Sequence, residues 1–228
     1  MKLKSHFLSK ILTPALQLWI KSQLDSITQL QLKITSSDQQ LLQGIIPKIY
    51  LKSEFAIYQG LHFDQISLIA EQLQVNITQI LKGHSLQLLH PLPISGQVRI
   101  TETHLNDSLR SSLLQSGLQD FLFSLLKSNS FSSLQWEKIT LQNNQLLLEG
   151  KPPQSPKNPV FIQATVDLIS PQHLLISPIT VQGLALNQEE LTPVEFDLGS
   201  QVQIQEIKIT EEAIFIEGRI MINNYSVA

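Results

Sequence analysis

The chain contains no cysteine, so disulfides, thiolate nucleophiles and thiolate metal ligands are excluded. Charged residues make up only 15% of its 228 residues, well under the usual quarter. Amides supply the missing polarity: 27 glutamines are spread through periodic segments rather than gathered in one tract. No window reaches about 18 consecutive apolar residues, which leaves no candidate membrane-spanning helix. Near the N-terminus Ser9, Lys10, Thr13 and Gln17 interrupt the apolar residues, so no signal peptide is expected. The expected location is therefore cytoplasmic, or peripheral on the cytoplasmic face of a membrane.

Catalytic motifs are also missing. There is no G-x-S-x-G, no G-x-x-x-x-G-K-[ST], no G-x-G-x-x-G and no H-E-x-x-H. His6, His62, His84, His90, His104 and His173 are scattered, with no pair at ligand spacing. Glu189-Glu190 and Glu211-Glu212 read as solvated turn carboxylates, not as a catalytic pair with separated pKa values. Asp64 and Asp107 have no evident partner, and His104 reads as a surface residue at a helix start. The expectation is a non-enzyme with no metal and no cofactor.

Charge is distributed unevenly. The net charge is −3, yet Lys2, Lys4, Lys10 and Lys21 give the first 24 residues +4 with no acid among them. The remainder carries −7, which argues against a nucleic-acid binder.

The organising stretch is Thr13 to Ile27, TPALQLWIKSQLDSI. Leu8, Ile11, Leu12, Ala15, Leu16, Trp19, Ile20, Leu24 and Ile27 recur at three- and four-residue steps, one face of a helix. Thr13-Pro14 fits an N-cap followed by proline at the first helical position. Residues 5–12 then form either a separate turn or the first part of a helix bent at Pro14. Burying about six large apolar side chains would contribute on the order of 9–18 kcal/mol gross, so the stripe needs a cover. Two covers are consistent with it: a sheet, or a membrane surface that suits the basic flank and Trp19.

The rest alternates with period two. Gln31–Thr35 predicts a strand, 36–40 a turn, and 48–58 one continuous half-buried strand. Phase changes after Gly60 predict bulges that curve a sheet. Residues 76–81 suggest a helical turn stopped by Gly83. From Thr103 to Lys127 the leucines and Phe121 return to helical spacing, capped by Thr101 or Thr103 and broken at Gly117. Hairpins are expected at Asn143-Asn144, at Ser170–Gln172 and at Glu211-Glu212. Residues 151–159 are either a weak domain boundary or a long hairpin loop. Ile139 to Lys151 is echoed 68 residues later by Ile207 to Arg219. Each copy ends in Glu-Gly followed by a cation, which reads as a bulge or edge device. The pair is either two similar hairpins or a duplicated sheet unit.

Dry strand faces, apolar helices and low charge together suggest an apolar groove that accepts acyl chains. The wording of several segments points the same way. LSKILTPALQLWIKSQ, IPKIYLKSEFAIYQGLHFDQISL, VNITQILKG and LQLLHPLPISGQVRITETHLNDSL resemble the LmeA-like phospholipid-binding family, in its cyanobacterial branch. The resemblance covers about residues 8–222. Its most specific parts are the Tyr58–Leu61 turn, the Pro91-Leu92-Pro93 connector, and Thr101-Glu102-Thr103-His104-Leu105-Asn106, where the family typically reads S-E-x-D-L-N.

The resemblance implies an α+β fold of tubular lipid-binding type. A long amphipathic N-terminal helix would be cradled by a strongly curved antiparallel sheet, with a second helical region near mid-chain. It also implies binding of phospholipid or another acyl lipid without catalysis. The residues themselves are read as a single domain over 1–228, with 1–12, carrying Lys2, Lys4 and Lys10, a flexible or membrane-proximal lead. Candidate lipid-contacting residues are Leu12, Leu16, Trp19, Ile20, Leu24, Phe55, Ile57 and Phe121. Candidate contacts to an anionic membrane surface are Lys2, Lys4 and Lys10. The alternative is a peripheral membrane scaffold or protein-interaction module with no bound lipid. Oligomeric state is left open.

Overall fold

The computed structural model describes residues 5–126, 134–153, 157–184 and 191–223. The chain opens with helix α1 (Ser5–Ser22), β1 (Ser26–Thr28), β2 (Gln31–Thr35), α2 (Asp38–Leu42), β3 (Ile45–Ser53), β4 (Phe55–Tyr58), β5 (Leu61–Phe63) and β6 (Gln65–Gln74). It continues through α3 (Ile77–Ile80), β7 (Leu92–Thr101), α4 (Glu102–Asp107), a 3-10 turn (Ser108–Arg110) and α5 (Ser112–Leu126). The remainder is strands: β8 (Gln135–Gln142), β9 (Gln145–Lys151), β10 (Val160–Ser170), β11 (His173–Gln182), β12 (Val194–Asp197), β13 (Val202–Ile209) and β14 (Ala213–Ile222). The fold is α+β, and every strand pair is antiparallel.

Three sheets form. The largest has the order β13-β14-β7-β6-β3-β2, the second β12-β11-β10-β9-β8, and the smallest β1-β4-β5. All three strand orders are open. The expected strongly curved cradle around one helix is therefore corrected. The physical reason is that the six-stranded sheet is shared between two separate cores. One contains Leu12 and Leu16 of α1 with Ile46, Ile49, Leu73, Val75, Leu92 and Ile94. The other contains Leu118, Phe121, Leu122 and Leu125 of α5 with Ile139, Leu148, Ile162, Val181, Ile209 and Ile214.

Several boundaries differ from the periodicity. α1 starts at Ser5, runs through Pro14 and stops at Ser22, so Ile27 lies in β1 and not in the helix. Its buried residues Leu12 and Leu16 belong to one of the two cores. Residues 36–40 are not a plain turn. Ser37 caps α2 in a reciprocal capping box with Gln40, two backbone donors being satisfied together. The continuous strand over 48–58 divides at Glu54. Ser53 is buried there, its hydroxyl donating to Thr28 O at 2.7 Å and accepting the Phe55 N–H, which sends β4 into the small sheet.

The mid-chain helices part at Ser111, whose Oγ accepts the Leu114 N–H at 3.0 Å. Gly117 sits inside α5, where a Cβ would meet open space. Thr101 is the cap of α4. Residues 152–159 join β9 to its paired neighbour β10.

The 68-residue echo extends to the register. In the β8–β9 hairpin a bulge between Trp136 and Lys138 opposes Glu149-Gly150. In the β13–β14 hairpin a bulge between Ile204 and Glu206 opposes Glu217-Gly218. The Glu-Gly pair thus marks a bulge in both, where the absent side chain lets the partner strand bend. The hairpin tips also touch, Asn144 N–H donating to Ile209 O at 3.0 Å.

Candidate functional site

One face of the six-stranded sheet carries a continuous apolar row, one residue per strand. Leu32 pairs with Leu51, Leu51 with Leu68, Leu68 with Gly96, Gly96 with Gly218, and Gly218 with Ile204. A Cβ on Gly96 would run into Ser67 O, and one on Gly218 into Gln203 O, so both positions require glycine where the strands approach closely.

Leu32 and Leu68 of this row pack against the α1 core and Ile204 is buried, while on β14 and β7 the same face leaves a gap between the two cores. On β14 the residues of this face are Ile214, Ile216, Gly218, Ile220 and Ile222, because side chains alternate along a strand. Ile214 and Ile216 pack into the α5 core, and Ile222 packs against the α1 core. Ile220 belongs to neither and is 42% exposed. β7 repeats the pattern: Leu92 and Ile94 join the α1 core, Ile100 joins the α5 core, and Val98 is half-buried between them. From Ile216 to Ile222 the gap spans six residues, roughly 20 Å at strand rise.

Its borders are defined. Ile66, opposite Val98, is buried where β4 and β5 lie against β6 and β7. At the β13 edge the turn between β10 and β11 docks, Pro171 O accepting the Ile204 N–H at 2.7 Å.

The sequence-derived candidates divide among these regions. Leu12 and Leu16 are 0% and 1% exposed in the α1 core, with Trp19 half-buried against it. Ile20 and Leu24 are half-buried and lie in neither core. Phe121 is in the α5 core, away from the α1 residues. Phe55 and Ile57 are half-buried on β4, the Phe55 ring 5.1 Å from His104. Lys10 is exposed on α1, as are Lys21 and the 69%-exposed Leu18 nearer its C-terminal end. Lys2, Lys4 and Glu189-Glu190 lie outside the described residues.

Asp64 and His104 are corrected most. Asp64 accepts the Thr101 N–H at 2.6 Å and its hydroxyl at 3.1 Å. His104 Nδ1 stands 2.9 Å from Asp64 Oδ1, off the line of a good hydrogen bond and with no better-aimed acceptor. Burial works to raise the Asp64 carboxyl pKa, but the Thr101 bonds and His104 outweigh it and hold it below the ordinary value. The chemistry is structural: a carboxylate fastening the loop after β5 to the N-terminus of α4, where negative charge is favoured. Ser170 Oγ lies 2.8 Å from His173 Nδ1, but it also accepts the Gln172 N–H and closes a hairpin turn. Asp64–His104 became legible only once β5, β7 and α4 were assembled. Among the described residues no three His, Asp or Glu side chains gather as metal ligands.

Sequence reasoning also missed a cleft of about 630 Å³ between α5 and β8. Buried Leu109, Leu122 and Leu134 floor it, and Arg110, Gln115, Gln119, Gln135 and Glu137 ring it, with Trp136 and Asn106 completing the wall. Both amide atoms of Asn106 bond the Ile139 backbone, and Glu102 accepts the Leu141 N–H, so α4 covers the free edge of β8.

Fold and geometry define a class: an α+β protein of antiparallel sheets whose largest sheet is shared by two cores, with Ile220 left exposed between them. Among the described residues no helix is long and apolar enough to cross a membrane. The chain belongs to the LmeA-like phospholipid-binding family, whose model matches residues 3–219. No curated protein and no solved structure matches it.

Proposed function

We propose that this protein is a non-enzymatic phospholipid-binding or lipid-transfer protein whose acyl chains lie in the gap between the two cores. The observation that carries the reading is Ile220. It is a large apolar side chain on an otherwise packed sheet face, left open between Ile216 and Ile222. Leu51, Val98 and Val202, all half-buried and in neither core, extend the same surface across the sheet. Acyl contact there would remove apolar area from water at about 25 cal/mol per Å² without displacing any core residue. In this reading Leu12, Leu16, Trp19 and Phe121 brace the ends of the gap. Ile20, Leu24, Phe55 and Ile57 are the remaining candidates for direct contact.

Approach to a membrane is assigned to the outer face of α1. Lys10 and Lys21 are exposed there, the helix has no acid, and Leu18 of the same helix is 69% exposed. Such a surface suits anionic headgroups, at about 1 kcal/mol per basic residue near the bilayer. The protein is then peripheral on a membrane.

Mass spectrometry of a solvent extract of the purified protein tests the function. Stoichiometric phospholipid is expected. Protein that carries no lipid and does not bind liposomes would instead be a scaffold or interaction module.

A further inference from the structure

The cleft between α5 and β8 is separate from the gap, and its chemistry is different. Arg110 stands at its rim, exposed, with no acid within ion-pair distance among the described residues. The cleft's own acid, Glu137, is neutralised by Lys151 at 2.6 Å. Among its described lining residues the cleft therefore presents one uncompensated positive charge. Below it the floor is apolar, and beside it Trp136 is held in place by Gly150. The two residues pair across β8 and β9, and a Cβ at Gly150 would come within 3.1 Å of the indole ring.

We propose that this cleft binds a phosphodiester carrying an apolar group. The guanidinium takes two phosphate oxygens and the attached group lies against Trp136 and Leu134. A diester carries a single negative charge and matches the one cation left unpaired among the described residues of the cleft. A phosphate monoester carries nearly two and would leave charge unpaired. Arginine's planar fork suits two oxygens of one phosphate in a way that a lysine point charge does not. The glutamines around the rim supply neutral amides for the polar remainder of the head. The inference rests on the phospholipid reading only for the carrier of the phosphodiester. The charge and shape arguments stand on the cleft alone.

The test uses the Trp19→Phe protein, which leaves Trp136 as the only tryptophan, excited selectively at wavelengths that tyrosine does not absorb. Its emission is titrated with monomeric dihexanoyl phosphatidylglycerol and, separately, with inorganic phosphate. A saturable change with the short-chain lipid is expected, with phosphate far weaker. Arg110→Ala should weaken binding about 10- to 100-fold, the range of a charged hydrogen-bonded contact, and Arg110→Lys should recover only part of it. No saturable change, or an unchanged affinity in Arg110→Ala, overturns the proposal. Phosphate matching the lipid overturns the apolar half of it and leaves a plain anion site. Lipid retained through purification is measured separately on the unsubstituted protein, in which Trp19 is intact. Retained lipid without a Trp136 response sinks the cleft and spares the gap, and the converse sinks the gap and spares the cleft.

Discussion

Ile220→Asp separates a lipid-binding face from an ordinary sheet surface. Ile220 is 42% exposed, so a ligand can cover rather less than half of its side chain. Full burial of an isoleucine is worth about 1.5–3 kcal/mol, so the portion open to an acyl chain is worth roughly 0.6–1.3 kcal/mol. Truncation to serine should then weaken acyl binding about 3- to 9-fold. Aspartate should do considerably more, because a carboxylate against an acyl chain loses its water without gaining a partner. The cost to folding is limited by the buried portion, about 1–2 kcal/mol. Two assays are needed on one preparation: urea denaturation for stability, and displacement of a fluorescent fatty acid for binding. The expected result is a folded protein that no longer holds lipid. Wild-type binding in a folded Ile220→Asp protein would refute the gap as the acyl site. A loss of 4 kcal/mol or more, roughly what unpacking a core residue costs, would show that the face is covered after all.

Other outcomes follow from the same contacts. Leu16→Ala, at 1% exposure in the α1 core, should cost about 2–5 kcal/mol in urea denaturation. Asp64→Ala leaves the Thr101 N–H and His104 without their acceptor and should cost about 1.5–3 kcal/mol at neutral pH. Because the folded Asp64 pKa is depressed, its contribution is complete above the ordinary carboxylate value. It fades as pH falls below about 4, so wild type and variant should converge in acid denaturation. Lys10→Ala and Lys21→Ala should each weaken binding to anionic vesicles about fivefold at low salt, with the difference shrinking as salt rises in a sedimentation assay.

The sequence by itself determined much of the local structure. Thr101 as a cap, the turns at Asn144 and Glu211-Glu212, and the Glu-Gly bulges are decided by short-range sterics and hydrogen bonds, which the chain carries in consecutive residues. Helical spacing likewise marked Leu12, Leu16 and Phe121 as apolar-face residues. It did not reveal the covers. Ile214, Ile216, Ile220 and Ile222 look alike along β14, since period-two alternation says only that a face is dry. Only the tertiary structure decided that the first two join the α5 core, the last packs against the α1 core, and Ile220 belongs to neither and stays 42% exposed. Asp64 and His104 lie forty positions apart, and Arg110 and Trp136 twenty-six. No local pattern relates them, because their proximity is set by which strands pair and by where α4 caps the edge of β8. The gap and the cleft are properties of packing, left over when two cores with different helices share one sheet.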